Sequence, residues 1–152
     1  MKCGLRGLFL DFDGTIAETE RIGQRVAYNR AFAELRLDWF WDEALYGELL
    51  AVAGGKERLR FYLERHRPEL LDDADTSALI AEIHRAKIRH FAEIAPAIPL
   101  RPGLLRLVRE ANAAGVMVAI ATTASKPGVE ALLSQDLHLP AMINLIAAND
   151  PS

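Results

Sequence analysis

With 152 residues, 51% of them hydrophobic, the chain is long enough to form a core, and its length suggests one domain. The formal net charge of −3 and the pI near 5.8 argue against a general binder of nucleic acid or membrane surfaces, because such proteins usually carry a basic excess. A single cysteine excludes an internal disulfide, and no apolar run reaches the length of an export signal or a membrane span. We therefore expect a cytoplasmic protein, and nothing in the sequence indicates an obligate protein partner.

Residues 8–15 combine a short apolar strand with two carboxylates. Asp11 and Asp13 follow the strand where the chain must turn, and Gly14 supplies the backbone freedom for that turn. In an open α/β sheet the ligand crevice lies beyond the carboxyl ends of the strands, so both carboxylates would face it. Two acids at this spacing can share a divalent cation or act as a nucleophile and a proton donor, and a plain Asp-Gly turn is the structural alternative.

The run Asp-Phe-Asp-Gly-Thr after an apolar strand resembles motif I of the haloacid dehalogenase (HAD) superfamily of phosphatases and phosphomutases. The resemblance implies that Asp11 is the phosphoryl-accepting nucleophile and Asp13 the general acid/base. It also implies a Mg²⁺ cofactor, held by the Asp11 carboxylate and the main-chain carbonyl of Asp13.

After this motif the apolar residues recur at helical intervals as far as residue 94, and a stiff connector with two prolines follows over 95–100. Trp39 and Trp41 lie between two predicted helices, where we expect them to have a structural, packing role. A helix from residue 43 ends at Gly54 and Gly55, and a long one covers 78–94. The basic residues of that long helix predict a solvated face: His84, Arg85, Lys87, Arg89 and His90.

The α/β pattern then resumes. Arg101, Pro102 and Gly103 lead into an amphipathic helix, and 116–121 is an apolar run of the kind that forms a strand covered on both faces. A further helix over 128–133 and a third strand over 142–148 follow. The predicted fold is α/β, a HAD-like Rossmannoid core with a partial parallel sheet (1–16 and 100–152) and an inserted all-helical cap (17–99).

Thr122 follows the second predicted strand and resembles motif II of the same superfamily. The resemblance implies that its hydroxyl binds the transferring phosphate while the Thr123 amide assists, with a register that could shift by one residue. A purely structural threonine at a strand end is the alternative.

The cap is expected to determine substrate choice by closing over the site. Gly54 and Gly55 precede a helix and can expose amide donors, and Lys56 and Arg58 can meet a second phosphate. A plain glycine turn is the alternative. Glu18 could hold a sugar hydroxyl or simply start a helix as a favourable acid.

Five segments in order resemble Rubisco-operon phosphatases of the CbbY type: Asp-Gly-Thr-Ile-Ala-Glu-Thr-Glu (13–20), Leu-Asp-Trp-Phe-Trp-Asp (37–42), Gly-Gly-Lys-Glu-Arg (54–58), Ile-His-Arg-Ala-Lys (83–87) and Arg-Pro-Gly (101–103). Such proteins convert xylulose 1,5-bisphosphate, a misfire product that inhibits Rubisco, into xylulose 5-phosphate and so support carbon fixation. A sugar bisphosphate substrate would give Lys56, Arg58 and Arg85 a reason to be basic.

The motif III lysine and the motif IV acid of the superfamily are not found in these 152 residues. We therefore expect a fragment of a longer chain with little or no phosphatase activity by itself. A β-phosphoglucomutase-like enzyme, a phosphoglycolate phosphatase and a non-catalytic fragment are the alternatives.

Overall fold

The computed structural model describes residues 4–71 and 75–149, which form two compact units. The α/β unit combines Met1–Glu20 with Ala92–Ser152, and the helical unit is Arg21–Phe91, so the second is inserted into the first along the chain. The finer domain boundaries given above, at 16/17 and 99/100, stay predictions.

The helices and strands alternate with short turns. In chain order they are β1 (Gly7–Leu10), a π-helical turn (Glu20–Gln24), α1 (Arg25–Glu34), α2 (Glu43–Leu49), α3 (Gly55–His66), a 3-10 turn (Pro68–Leu70), α4 (Thr76–Ile94), a 3-10 turn (Ala95–Ala97), α5 (Leu104–Ala113), β2 (Met117–Ser125), α6 (Lys126–Leu133), α7 (Leu139–Met142) and β3 (Leu145–Asn149). Within the described ranges, no helix combines the length and the apolar character needed to cross a lipid bilayer.

In the described residues the three strands form one parallel sheet in the order β1-β2-β3. Leu10 lies opposite Ile120, which in turn lies opposite Ile146. The carboxyl ends of the strands therefore meet at one edge, as parallel pairing requires. This confirms the predicted α/β class with a partial parallel sheet and an inserted run of helices.

The two faces of this sheet differ. Val118 and Ile120 are fully buried on the face against which α5 and α6 pack, whereas Phe9 is 75% and Met117 62% exposed on the other. Both crossovers run in the same direction along the sheet, so a uniform right-handed connection puts their helices on one side. The expectation that 116–121 is covered on both faces is thus wrong for the described part of the chain.

A cluster of aromatic rings around Trp41 forms the core of the helical unit. The Trp41 ring is fully buried, with its centroid 4.6 Å from that of Tyr28 and 5.0 Å, edge-on, from that of Phe32. The Asn29 side chain donates to the Trp41 carbonyl and accepts from the Trp41 N–H, both at 2.8 Å. The structural role predicted for both tryptophans is confirmed, whereas Phe40 between them is 68% exposed.

Candidate active site

Asp11 is the first residue after β1, and its carboxylate is exposed. The turn that follows is closed by the amide of Ile16, which donates to the carbonyl of Phe12 at 3.0 Å. Phe12 is fully buried and anchors the turn, while Gly14 adopts a φ of +77°, a left-handed conformation that favours glycine. The Thr15 hydroxyl lies 3.5 Å from the Asp11 carboxylate. The buried Phe12 and the hydrogen-bonded turn therefore hold the backbone next to Asp11, while the Asp11 side chain is exposed to solvent.

Asp13 is held from inside the protein by Thr19. The Thr19 side chain is fully buried, and its hydroxyl donates a hydrogen bond to the Asp13 carboxylate. The backbone of the same turn doubles back, since the amides of Gly14 and Thr19 both donate to the Ala17 carbonyl at 2.9 Å. Thr19 thus fixes the orientation of the second carboxylate, a role that no motif in the sequence indicates.

Thr122 and Thr123 lie inside β2, which continues to Ser125 instead of ending at Ala121. The pairing with β3 is irregular between Ala121 and Ser125, so the strand is distorted where these threonines lie. The Thr122 hydroxyl accepts the Ala124 amide at 3.0 Å. A hydroxyl that accepts one bond can still donate its proton to a phosphate oxygen.

The register of the sheet brings these residues to one edge. Because Leu10 pairs with Ile120, Asp11 follows β1 at the level of Ala121, one residue before Thr122 in β2. Glu18 belongs to the same unit, where its half-exposed carboxylate forms an ion pair with Arg101 at 2.5 Å.

The glycine turn of the helical unit is tightly enclosed. Gly54 has a φ of +90° ahead of α3, and the carbonyl of Gly55 accepts from the Tyr28 hydroxyl at 3.0 Å. A Cβ atom added at Gly55 would lie 2.6 Å from Nε2 of His84, closer than such atoms approach. Gly55 is therefore glycine for lack of space, while Lys56 next to it is exposed.

His84 is half-buried against this turn and does not belong to a fully solvated face. Burial, and after it the positive charges of Lys87 and Lys56, lower the pKa of His84 from 6.5 to about 4, against the opposing effect of Glu57. The imidazole is consequently neutral at physiological pH.

The two arginines predicted to bind substrate lie in different environments. Arg58 is 9% exposed, and its guanidinium donates to the Tyr46 hydroxyl at 3.0 Å. Arg85 is exposed on α4. Arg58 therefore contributes to the packing of α2 against α3, and Arg85 has its charge in solvent.

The donor set around motif I suits Mg²⁺ in kind, because carboxylate and carbonyl oxygens are the ligands that this ion takes. Asp11 and the main-chain carbonyl of Asp13 would hold it. In the described ranges no group of three or more acidic, histidine or cysteine side chains is arranged to hold a metal ion. These residues thus fit part of a magnesium site.

Comparison with known proteins agrees with the motifs. A family model described as haloacid dehalogenase-like hydrolase matches residues 5–151. The protein CbbY encoded on a plasmid of Cupriavidus necator is 46% identical over 135 residues, which cover 88% of this chain and 53% of that protein.

Two solved structures of CbbY from Rhodobacter sphaeroides are similar in fold and sequence. The complex with phosphate has a TM-score of 0.82 at 42% identity, and a mutant in complex with xylulose-1,5-bisphosphate has 0.83 at 41%. Each alignment covers 96% of this chain and 64% of the solved one. The chain thus spans about half to two thirds of the length of these relatives, and the predicted resemblance and HAD-like fold are confirmed.

Proposed function

The chain belongs to the haloacid dehalogenase-like hydrolases, and from that premise we propose that it is part of a Mg²⁺-dependent phosphatase for a small sugar bisphosphate, xylulose 1,5-bisphosphate. The reaction proceeds through an aspartyl-phosphate intermediate and removes an inhibitor of Rubisco. The similarity at 41% identity to a CbbY structure that contains this sugar bisphosphate supports the choice of substrate.

The observation that carries the proposal is the pair of carboxylates at the carboxyl end of β1. Asp11 is exposed, as a nucleophile must be, whereas Asp13 is half-buried and oriented by the buried Thr19 hydroxyl. Different surroundings suit two acids for different tasks.

In the first step an Asp11 oxygen attacks phosphorus, and the bond from phosphorus to the sugar oxygen breaks. Asp13, protonated at this stage, gives its proton to the leaving sugar oxygen. In the second step the Asp13 carboxylate takes a proton from water, whose oxygen attacks the same phosphorus. The bond between phosphorus and the Asp11 oxygen breaks, phosphate leaves, Asp11 is again a carboxylate and Asp13 is again protonated.

The transferring phosphate carries negative charge that must be offset. Bound Mg²⁺ would supply charge neutralisation at Asp11 and the Asp13 carbonyl. The Thr122 hydroxyl donates to a phosphate oxygen, and the Thr123 amide assists it. Glu18 accepts a hydrogen bond from a hydroxyl of the sugar.

The second phosphate of the substrate requires a cation and amide donors. Lys56 is exposed beside Gly54 and Gly55 at the start of α3, so this turn is the strongest candidate, with Arg85 as a further exposed charge. Arg58 belongs to the same helix, and its buried guanidinium packs that helix against α2 through its hydrogen bond to the Tyr46 hydroxyl.

The test measures phosphate release from xylulose 1,5-bisphosphate with Mg²⁺, using the product of the whole reading frame that encodes this chain. We expect one phosphate and one sugar monophosphate per turnover, and no release by an Asp11→Asn variant. Phosphate that stays on the sugar would indicate a mutase, and preference for phosphoglycolate a different phosphatase. The 152-residue chain alone is expected to release little phosphate. Magnesium prefers six ordered oxygen ligands, and only the Asp11 carboxylate and the Asp13 carbonyl are assigned to it here.

A further inference from the structure

The turn that carries Asp13 is bound to a distant segment of the α/β unit through a single arginine. Arg101 donates from its backbone amide to the Ile16 carbonyl at 2.8 Å and from Nε to the Gly14 carbonyl at 2.9 Å. Its Nη2 donates to Oε2 of Glu18 at 2.5 Å. Three donors of one residue therefore hold three successive parts of the turn.

The backbone next to this arginine reinforces the contact. Leu100 and Ala17 form an antiparallel bridge, so the chain before Arg101 is paired with the chain before Glu18. This pairing fixes the backbone of Arg101, from which its guanidinium reaches the Gly14 carbonyl and the Glu18 carboxylate. Nε and Nη2 form a planar fork, a shape that an ammonium group with one nitrogen does not reproduce.

The ion pair between Arg101 and Glu18 orients the Glu18 carboxylate more than it stabilises the fold. The side chains of Arg101 and Glu18 are 48% and 44% exposed, and ion pairs this open to water contribute little to folding. The contact does decide where the carboxylate lies. One Glu18 oxygen accepts a hydrogen bond from Arg101, and the other can accept a hydrogen bond from a hydroxyl of a ligand.

We infer that Arg101 is a positioning residue, which fixes Glu18 for contact with the sugar and fixes the Gly14 carbonyl in the turn after Asp13. The inference rests on the proposed function, since Glu18 is the group that meets the substrate. Arg101 itself acts through Glu18 and touches no reacting atom.

Arg109 provides a matched control. It is exposed on α5, and it pairs with the carboxylate of Asp136 at 3.8 Å. Replacing it with glutamine removes the same charge from the same unit. Any effect specific to Arg101 must therefore come from its contacts with the turn.

The first measurement is amide hydrogen exchange, which does not depend on activity. Arg101→Gln should speed exchange across 14–19, and Arg109→Gln should leave it unchanged. Equal exchange in both variants overturns the inference. Faster exchange in Arg101→Gln, combined with a wild-type protein that releases no phosphate from the sugar bisphosphate, would show that Arg101 holds the turn and would reject the proposed function.

The second measurement is steady-state kinetics on the product of the whole reading frame, with xylulose 1,5-bisphosphate and with p-nitrophenyl phosphate, which lacks sugar hydroxyls. Arg101→Gln should raise KM for xylulose 1,5-bisphosphate about tenfold, the effect expected from loss of one charge-assisted hydrogen bond. KM for p-nitrophenyl phosphate should change less than about twofold. In a Glu18→Gln background the effect of Arg101→Gln on KM should largely vanish, and Arg101→Lys should rescue little. Equal losses on both substrates, or full rescue by lysine, would contradict the positioning role.

Discussion

The α/β unit and the helical unit both hold polar groups in place with side-chain hydrogen bonds, but these bonds serve different purposes. In the α/β unit, Thr19 and Arg101 orient Asp13 and Glu18, whose carboxylates stay accessible or nearly so. In the helical unit, Asn29 holds the backbone of a buried tryptophan. Side-chain hydrogen bonds therefore serve orientation in one unit and packing in the other.

This difference tells us where substitutions should affect activity and where they should affect stability. Polar changes in the α/β turn should alter rate with little effect on folding. Comparable changes in the helical unit should alter folding first. The following predictions test that division, from the largest expected effect to the smallest.

Asp11→Asn should lower kcat of the whole gene product on the order of 10³-fold or more, because an amide cannot serve as the attacking oxygen. The exposed side chain should leave the melting temperature nearly unchanged. Phosphate release and thermal unfolding measure the two effects. Asp38→Asn, which alters an exposed aspartate of the helical unit, is the control and should leave kcat at the wild-type value. A variant of Asp11 with substantial activity would refute its assignment as nucleophile.

Trp41→Ala should lower the free energy of unfolding by about 3–5 kcal/mol, because it removes the central ring of a fully buried cluster. Denaturant unfolding of the wild-type and variant chains measures the loss. Phe40→Ala changes the neighbouring aromatic, which is exposed, and should cost less than about 0.5 kcal/mol. Similar losses in both variants would show that burial does not distinguish these adjacent positions.

Thr19→Val should lower kcat roughly tenfold to a hundredfold, since Asp13 loses the donor that orients it for proton transfer. KM should change much less. Thr76→Val in the helical unit is the matched control, because that buried hydroxyl donates to the Leu70 carbonyl. It should reduce stability and spare kcat, and a rate loss as large as that of Thr19→Val would argue against a specific role for Thr19.

The stability of the helical unit should decrease as the pH falls from about 6.5 to about 4. The folded state keeps His84 neutral, because its pKa is lowered to about 4, whereas the unfolded chain binds this proton near its ordinary pKa of 6.5. The unfolded state therefore binds more protons in this window, so the contribution is fully present above it and is lost as the pH drops.

Melting temperatures measured between pH 4 and pH 7.5 show this dependence. His84→Gln should flatten the profile, and His138→Gln, which alters an exposed histidine of the α/β unit, should leave it unchanged. A profile that stays equally steep without His84 would assign the dependence to other groups.

Much of the fold could be predicted from local patterns. The helices near 55–66, 78–94 and 104–113 follow apolar periodicity and glycine or proline boundaries, and the structure has them at nearly the same positions. The end of β2 could not be predicted, because Thr122 and Thr123 read locally as a loop whereas pairing with β3 extends the strand to Ser125. The exposed face with Phe9 could not be predicted either, since it depends on which side both crossovers take.

The sequence by itself determined the motif at residues 11–15, because a strand, two carboxylates and a glycine turn are contiguous and need no partner to be recognised. It also determined the family, which the match over residues 5–151 confirms. Only the tertiary structure decided what holds those groups. Arg101 contacts Glu18 across 83 positions of sequence, and His84 occupies the space beside Gly55 from another helix. Periodicity reports which side of a helix is apolar, whereas the partner of an individual polar side chain depends on how distant segments are brought together.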